Sequence, residues 1–260
     1  MTAATTTHPA HVEYVLRIAD TSLILGQRLS EWCGHGPVIE EDIALANIAL
    51  DLIGQARLLL THASALEDQG RDEDQLAFLR REPEFRNLTI AELPNGKDRR
   101  DFGQTILRDF LVAAWQRELW QALAVSSDAE LAAIAAKSLK ETRYHVQHAA
   151  DWVVRLGDGT DESHRRTQDA LDLLWPYTAE FFRATPVDEV AIARGIGPAW
   201  PSLESGWIAA VTPVLDVASL TIPARTPFAS YGKEGRHSEH LGHLLTKLQY
   251  LQRTYPGGTW

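Results

Sequence analysis

The sequence lacks the features that mark secreted and membrane-spanning proteins. Its single cysteine, Cys33, rules out an intrachain disulfide and a CxxC metal or redox site. The opening ten residues lack the basic and apolar pattern of a secretion signal. No apolar run reaches about 18 residues without a charged or strongly polar side chain, which argues against a membrane span. We therefore expect a cytoplasmic protein.

Basic charge is also scarce. The 260-residue chain has 25 lysine and arginine residues against 35 acidic ones, and its net charge is -10. No Lys/Arg cluster interrupts the acidic residues. This balance argues against nucleic acid and anionic membranes as partners, because both attract positive surfaces. A local basic pocket for a phosphate-bearing small molecule is compatible with it.

Strand patterns, internal repeats and low-complexity tracts are missing, and helical periodicity fills the chain instead. Ser127 and Glu130 resemble a capping box at the start of one long helix. We predict an all-α protein with a flexible N-terminus over residues 1–10 and a single helical domain over residues 11–260. The helices are predicted over residues 11–32, 40–60, 101–125, 127–157, 161–183, 186–194, 200–219 and 236–255.

The helix predicted over residues 40–60 has apolar residues around its whole circumference. This pattern indicates a central helix that other helices enclose. The same helix contains Asn47, Asp51, Gln55 and Arg57. Because a buried charge is costly without a partner, these groups are expected to be matched by polar groups on neighbouring helices.

Acidic residues and histidines on facing helices are typical of di-iron carboxylate proteins. Those proteins use one Glu from each of two helices and a Glu-x-x-His pair from each of the other two. Here Gly54 follows Asp51 by three residues, and Tyr144 follows Glu141 by three residues. His145 comes one residue too late, which rotates it by about 100°. The sequence therefore predicts a di-iron scaffold with a broken ligand set.

Three interpretations are open. The favoured one is a protein with no catalytic residue, in which Glu141, His145 and Asp51 form a hydrogen-bonded or ion-paired core network, with Arg57, Arg143 or Gln55 as partners. The second is a metal-dependent oxidase with irregular ligands, namely Asp51, Glu118, Glu141 and His145. The third is a purely structural helical interaction protein. A further histidine stretch, His237, His240 and His243, winds around its helix by about 120° and climbs about 9 Å, so we interpret it as a packed face.

Several stretches of the sequence also resemble a known family. The stretches that carry the likeness are GQRLSEWCGHGP, ALANIALDLIGQAR, the PNG turn, KETRYHVQH, RLGDGTD and HSEHLGHLLTKLQYLQR. They resemble the C subunits of phenylacetyl-CoA epoxidase, a bacterial multicomponent oxygenase, and the likeness runs from about Tyr14 to Trp260.

The resemblance implies a ferritin-like helical bundle with additional C-terminal helices and a structural, non-catalytic role without a cofactor of its own. The implied partners are a catalytic A subunit with a di-iron centre, in a heterodimer, a small B subunit, and a reductase that uses NADPH, flavin and an iron–sulfur centre. The implied reaction adds one oxygen atom of O2 across the ring of phenylacetyl-CoA. The positions Asp51, Gly54, Glu118, Glu141, Tyr144 and His145 would then be vestiges of a metal site.

The resemblance further implies that these C subunits take part in binding the CoA thioester. The matching stretch is Glu84, Phe85, Arg86 and Asn87, which we expect in a solvated loop. There Arg86 could meet a phosphate and Phe85 could stack on adenine. Some of the eight tryptophans are expected to face a partner. They include Trp115, Trp120, Trp200 and Trp207.

Overall fold

The structure is a computed structural model that describes residues 9–97 and 100–258. The long helices are α1 (Ala10–Ser30), α2 (Ile39–Glu67), α5 (Phe102–Leu123) and α6 (Ala129–Gly157). The shorter helices are α3 (Glu73–Phe78), α4 (Thr89–Glu92), α7 (Asp161–Leu174), α8 (Pro186–Ala193), α9 (Glu204–Val217), α10 (Glu239–Leu248) and α11 (Tyr250–Thr254). Within the described ranges, four 3₁₀ helices lie at Glu82–Glu84, Trp175–Phe182, Trp200–Leu203 and Gly232–Glu234. The described residues contain no strand, and the all-α prediction is confirmed.

The four long helices form a ferritin-like bundle. α1 packs along α2, α5 packs along α6, and α2 approaches α6. α7 and α9 pack on both α5 and α6, while α8 covers α1. Of the N-terminal segment predicted to be flexible, residues 1–8 lie outside the described residues, and α1 already begins at Ala10.

The start of α6 differs by one residue from the prediction. Asp128, and not Ser127, is the N-cap, and its carboxylate accepts the Leu131 N–H at 3.0 Å. Ser127 lies outside the helix, where its hydroxyl donates to the Arg194 carbonyl at 2.7 Å. A cap of this type is worth about 1 kcal/mol, because it pairs an amide that the helix leaves without a partner.

Aromatic rings fill the core between α5 and the C-terminal half of the chain. The Trp115 ring lies 5.0 Å from that of Trp200 and 5.6 Å from that of Phe181, between centroids. Trp120 and Trp207 are also buried. These four tryptophans therefore belong to the core of this chain, and the expectation that some of the eight face a partner stays a prediction for the others.

Helix α2 is not the central helix that its composition predicts. One side packs on α1, but Ile39, Ile43 and Leu50 on the opposite side are 70%, 54% and 64% exposed. Among the described residues, α2 is the one helix long and apolar enough to cross a membrane. Half of that apolar segment is buried within the protein. Packing inside the chain therefore accounts for only one side of this helix.

The second half of the chain is less regular than predicted. The helix predicted over residues 161–183 becomes a 3₁₀ helix at Trp175, since Pro176 cannot donate a backbone hydrogen bond. The segment 221–235, which lies between two predicted helices, turns inward at its end. There the buried Glu180 carboxylate accepts the Ser230 hydroxyl at 2.7 Å and the Lys233 N–H at 3.0 Å. Burial lowers the pKa of Lys233 to about 8.

Candidate functional site

Helices α2 and α6 face each other through a row of polar contacts, here called the α2–α6 ladder. Residue numbers rise along α2 as they fall along α6, so the two helices run antiparallel. Each contact joins a side chain of α2 to a side chain of α6 or of its N-cap residue, Asp128. The pairs are Glu41–His148 (2.8 Å), Asp51–His145 (3.0 Å), Gln55–Glu141 (3.1 Å) and His62–Asp128 (2.7 Å).

The ladder contains four of the residues that the sequence singles out, namely Asp51, Gln55, Glu141 and His145. The Asp51 carboxylate accepts a hydrogen bond from the His145 ring, and Gln55 donates to Glu141. The hydrogen-bonded network expected around these residues is therefore present, with Gln55 as a partner. Arg57 does not join it, since its side chain is 75% exposed and reaches Glu73 at 3.4 Å instead.

The other positions predicted as metal-site vestiges do not join the ladder. Gly54 has no side chain, and a Cβ placed there would meet nothing within 4 Å. Tyr144 is 52% exposed, and its ring lies beside the rings of His145 and His148. Glu118 pairs with Arg117 at 2.9 Å and lies against Gly206 on α9. The six predicted positions therefore do not converge on a common centre.

The stretch predicted to bind substrate is buried and not a solvated loop. Phe85, Arg86 and Asn87 are 0%, 3% and 0% exposed. The Arg86 guanidinium donates to the carbonyls of Pro83 and Phe85 at 2.7 and 2.8 Å, and burial lowers its pKa. Neither a free guanidinium for a phosphate nor an open ring for adenine is present. The role in substrate binding stays a prediction, without this physical support.

The remaining residue of that stretch, Glu84, is partly exposed but already engaged. Its carboxylate accepts the Arg81 N–H at 2.8 Å. Burial opposes ionisation of Glu84, but the contacts with Arg81 outweigh it and hold the pKa below its ordinary value. The nearby His237 ring is also occupied, since it contacts the Glu92 carboxylate at 2.9 Å and the Phe85 carbonyl at 3.0 Å.

Comparison with known proteins agrees with the resemblance found in the sequence. A family model described as phenylacetic acid catabolic protein matches residues 1–260. The chain belongs to this family. It is 46% identical over 247 residues to the C subunit of 1,2-phenylacetyl-CoA epoxidase of Escherichia coli (strain K12), an alignment that covers 95% of this chain and 98% of the relative. The resemblance found in the sequence is thereby confirmed.

The donor set of this family member does not fit a di-iron centre. Such a centre needs carboxylates from four helices and two Glu-x-x-His pairs around two adjacent ions. In the described residues, no three of Asp51, Glu118, Glu141 and His145 bring ligand atoms close enough to hold one ion. Asp51 and Glu141 are instead occupied by the facing helix. The ladder can fix the spacing of α2 and α6, but its Asp51–His145 and Gln55–Glu141 pairs offer no open position for a di-iron centre.

One buried acid in the bundle was not among the residues predicted from the sequence. Asp109 on α5 is 1% exposed, and neither carboxylate oxygen has a hydrogen-bond partner. Burial raises its pKa above the ordinary value, although the nearby His145 and His148 oppose this shift. A lone acid within the apolar run of α5 was the only available sequence signal. Its carboxyl group holds a proton more readily in the folded protein than in the unfolded chain.

We expect Asp109→Asn to stabilise the protein increasingly as the pH rises. Above the unfolded pKa of 3.8, the native carboxyl retains a proton that the unfolded chain has lost, so wild-type stability falls with pH. Asparagine has a similar shape but does not ionise. The gain in unfolding free energy should grow by up to about 1.4 kcal/mol per pH unit until the native carboxyl ionises. Urea unfolding of both proteins between about pH 4 and 8 measures it.

The matched control for this prediction is Asp216→Asn, since Asp216 is an exposed acid near the end of α9. Because Asp216 is exposed, its replacement should change the unfolding free energy by no more than about 0.5 kcal/mol. A difference between Asp109→Asn and the wild type that does not change with pH would contradict the assignment.

Proposed function

We propose that this chain is the structural, non-catalytic subunit of a phenylacetyl-CoA epoxidase complex that acts in aerobic phenylacetate degradation. The observation that carries the proposal is the α2–α6 ladder, in which the acids and histidines of a di-iron scaffold are bonded to each other. The relative that is 46% identical is named a subunit of such an epoxidase, which supports membership in a multi-subunit complex.

The proposed role is mechanical support of the catalytic A subunit. A metal site works only when its ligands are held to within about half an ångström. A rigid bundle docked beside a di-iron protein supplies such support without reacting itself. In this cytoplasmic complex, the di-iron centre belongs to the partner, a small B subunit joins the assembly, and the reductase delivers electrons from NADPH through flavin and iron–sulfur groups.

The exposed side of α2 is the proposed docking surface for the catalytic subunit. We call it the α2 stripe and define it by Ile39, Ile43, Leu50 and Gly54. Obligate interfaces resemble a domain core cut in half, with large apolar side chains at the centre. Three large apolar residues of the stripe are more than half exposed, and Gly54 leaves room for a partner side chain. The exposed Tyr144 on the neighbouring α6 extends this surface.

Co-expression with the catalytic and B subunits of the epoxidase from the same source tests the proposal. We expect a stable complex whose epoxidation of phenylacetyl-CoA requires this chain. The double variant Asp51→Asn with Glu141→Gln should retain turnover within about threefold of the wild-type complex, because these residues act on helix spacing and not on oxygen.

Two results would favour the alternatives. Retention of two irons by this chain alone, lost in Asp51→Ala, would identify a metal-dependent oxidase. A chain that stays monomeric in the presence of the epoxidase subunits would support the other alternative, a helical interaction protein that is unrelated to oxygenases.

A further inference from the structure

Three helix ends meet at one end of the bundle, away from the other polar pairs. His11 lies in the first turn of α1, His62 lies near the end of α2, and Asp128 caps the start of α6. The Nε2 atoms of His11 and His62 lie 2.8 and 2.7 Å from the same oxygen, Asp128 Oδ2. The three side chains are 19%, 10% and 9% exposed, so they are shielded but not sealed from solvent.

The two carboxylate oxygens of Asp128 have different partners. Oδ1 accepts the Leu131 N–H at 3.0 Å and caps α6. Oδ2 faces the two imidazoles, and the ligand atoms of the three residues all lie within 4.8 Å of one another. Oδ2 is therefore the carboxylate atom that a cation between the two rings would contact.

We propose that His11 Nε2, His62 Nε2 and Asp128 Oδ2 bind one divalent transition-metal ion, for which Zn²⁺ is the best match. Two imidazoles and a carboxylate are a ligand set that Zn²⁺ accepts, with solvent in the fourth position. Bonds of about 2.0–2.1 Å in a tetrahedral site put the ligand atoms roughly 3.3 Å apart. The present distances of 2.7 and 2.8 Å need to open by about half an ångström.

The bound ion would tie together helix ends that are distant in the sequence. His11 and Asp128 are separated by 117 positions, and His62 and Asp128 by 66. Because the native site forms only in the folded protein, Zn²⁺ binding raises the melting temperature. Both imidazoles must present Nε2 without a proton, so a ring that carries protons on both nitrogens must release one to bind the ion. The inference concerns this chain by itself and does not depend on the proposed role in an epoxidase.

Titration of the metal-stripped full chain with Zn²⁺ by calorimetry tests the site. We expect saturable binding of one ion per chain, and a rise in melting temperature with Zn²⁺. His62→Gln and Asp128→Asn should each weaken binding at least about tenfold, since even partners outside the ligand shell change metal affinity 10–100-fold. Asp128→Asn keeps the helix cap, because asparagine caps as well as aspartate. His243→Gln, at an exposed histidine on α10, should leave the affinity unchanged.

A second measurement needs no variant. Co²⁺ bound in place of Zn²⁺ should give the intense visible absorption of a four-coordinate site, and added Zn²⁺ should abolish it. Absence of saturable Zn²⁺ binding to the wild-type chain would overturn the proposal. Binding that neither His62→Gln nor Asp128→Asn weakens, while circular dichroism shows both variants folded, would overturn it as well.

Discussion

Asp20→Asn is expected to lower the free energy of unfolding by about 3–5 kcal/mol, because it leaves a buried guanidinium without its counter-charge. Asp20 on α1 and Arg80 are 0% and 1% exposed. Arg80 donates through both terminal nitrogens to the Asp20 carboxylate. The same carboxylate accepts the Arg86 N–H at 2.8 Å. The substitution therefore weakens three contacts that hold residues 80–86 against α1.

Urea unfolding measures this effect, and an exposed ion pair provides its control. Arg165 and Asp169 on α7 lie 2.7 Å apart, but they are 59% and 64% exposed. Asp169→Asn should change the unfolding free energy by no more than about 0.5 kcal/mol, since water screens such a pair. A loss below about 1 kcal/mol in Asp20→Asn would mean that Arg80 finds another partner or that water reaches it.

Leu50→Glu on the α2 stripe is expected to weaken assembly with the catalytic subunit about 30-fold or more. A central interface residue is worth about 2 kcal/mol or more, and each 1.4 kcal/mol corresponds to a tenfold change in affinity. The glutamate would add a charge that the interface must desolvate. Because Leu50 is 64% exposed in this chain, the isolated protein should keep its stability. Calorimetric titration of the catalytic subunit, with urea unfolding of the free chain, measures both quantities.

Leu173→Glu provides the matched control for this prediction. Leu173 is an apolar residue on α7 that is 48% exposed and lies outside the α2 stripe. It should leave the affinity within about twofold of the wild type. If Leu173→Glu disrupts assembly and Leu50→Glu does not, the docking surface lies on the α7 side of the molecule.

The features that the sequence predicts well are local ones. Helical spacing and stop signals such as Gly157 depend on neighbours in the chain, so the long helices appear where they are expected. Asp51, Glu141 and His145 were identified because polar groups on an apolar helix face need partners. Their pairing with the facing helix follows from the same argument, which also predicts Gln55 as a partner.

Long-range contacts account for what the sequence does not predict. Periodicity cannot distinguish a helix enclosed by its own chain from one with an apolar side left for a partner, which is the difference found for α2. The sequence around Pro83 resembles a solvated loop. Hydrogen bonds from Arg80 and Arg86 to Asp20, at least 60 positions away, bury this segment instead. Asp109 and the cluster around Asp128 likewise depend on neighbours that only the folded chain brings together.

The α2–α6 ladder also bears on the order in which the chain folds. α1 and α2 follow each other in the sequence, as do α5 and α6, so each hairpin closes over a short loop at low entropic cost. The pairs of the ladder join residues that are 66 to 107 positions apart. Forming these long-range pairs has the larger entropic cost, and it joins the two hairpins into one bundle. A partner that binds both α2 and the adjoining face of α6 would therefore stabilise the contact between the two hairpins, which is the last to form.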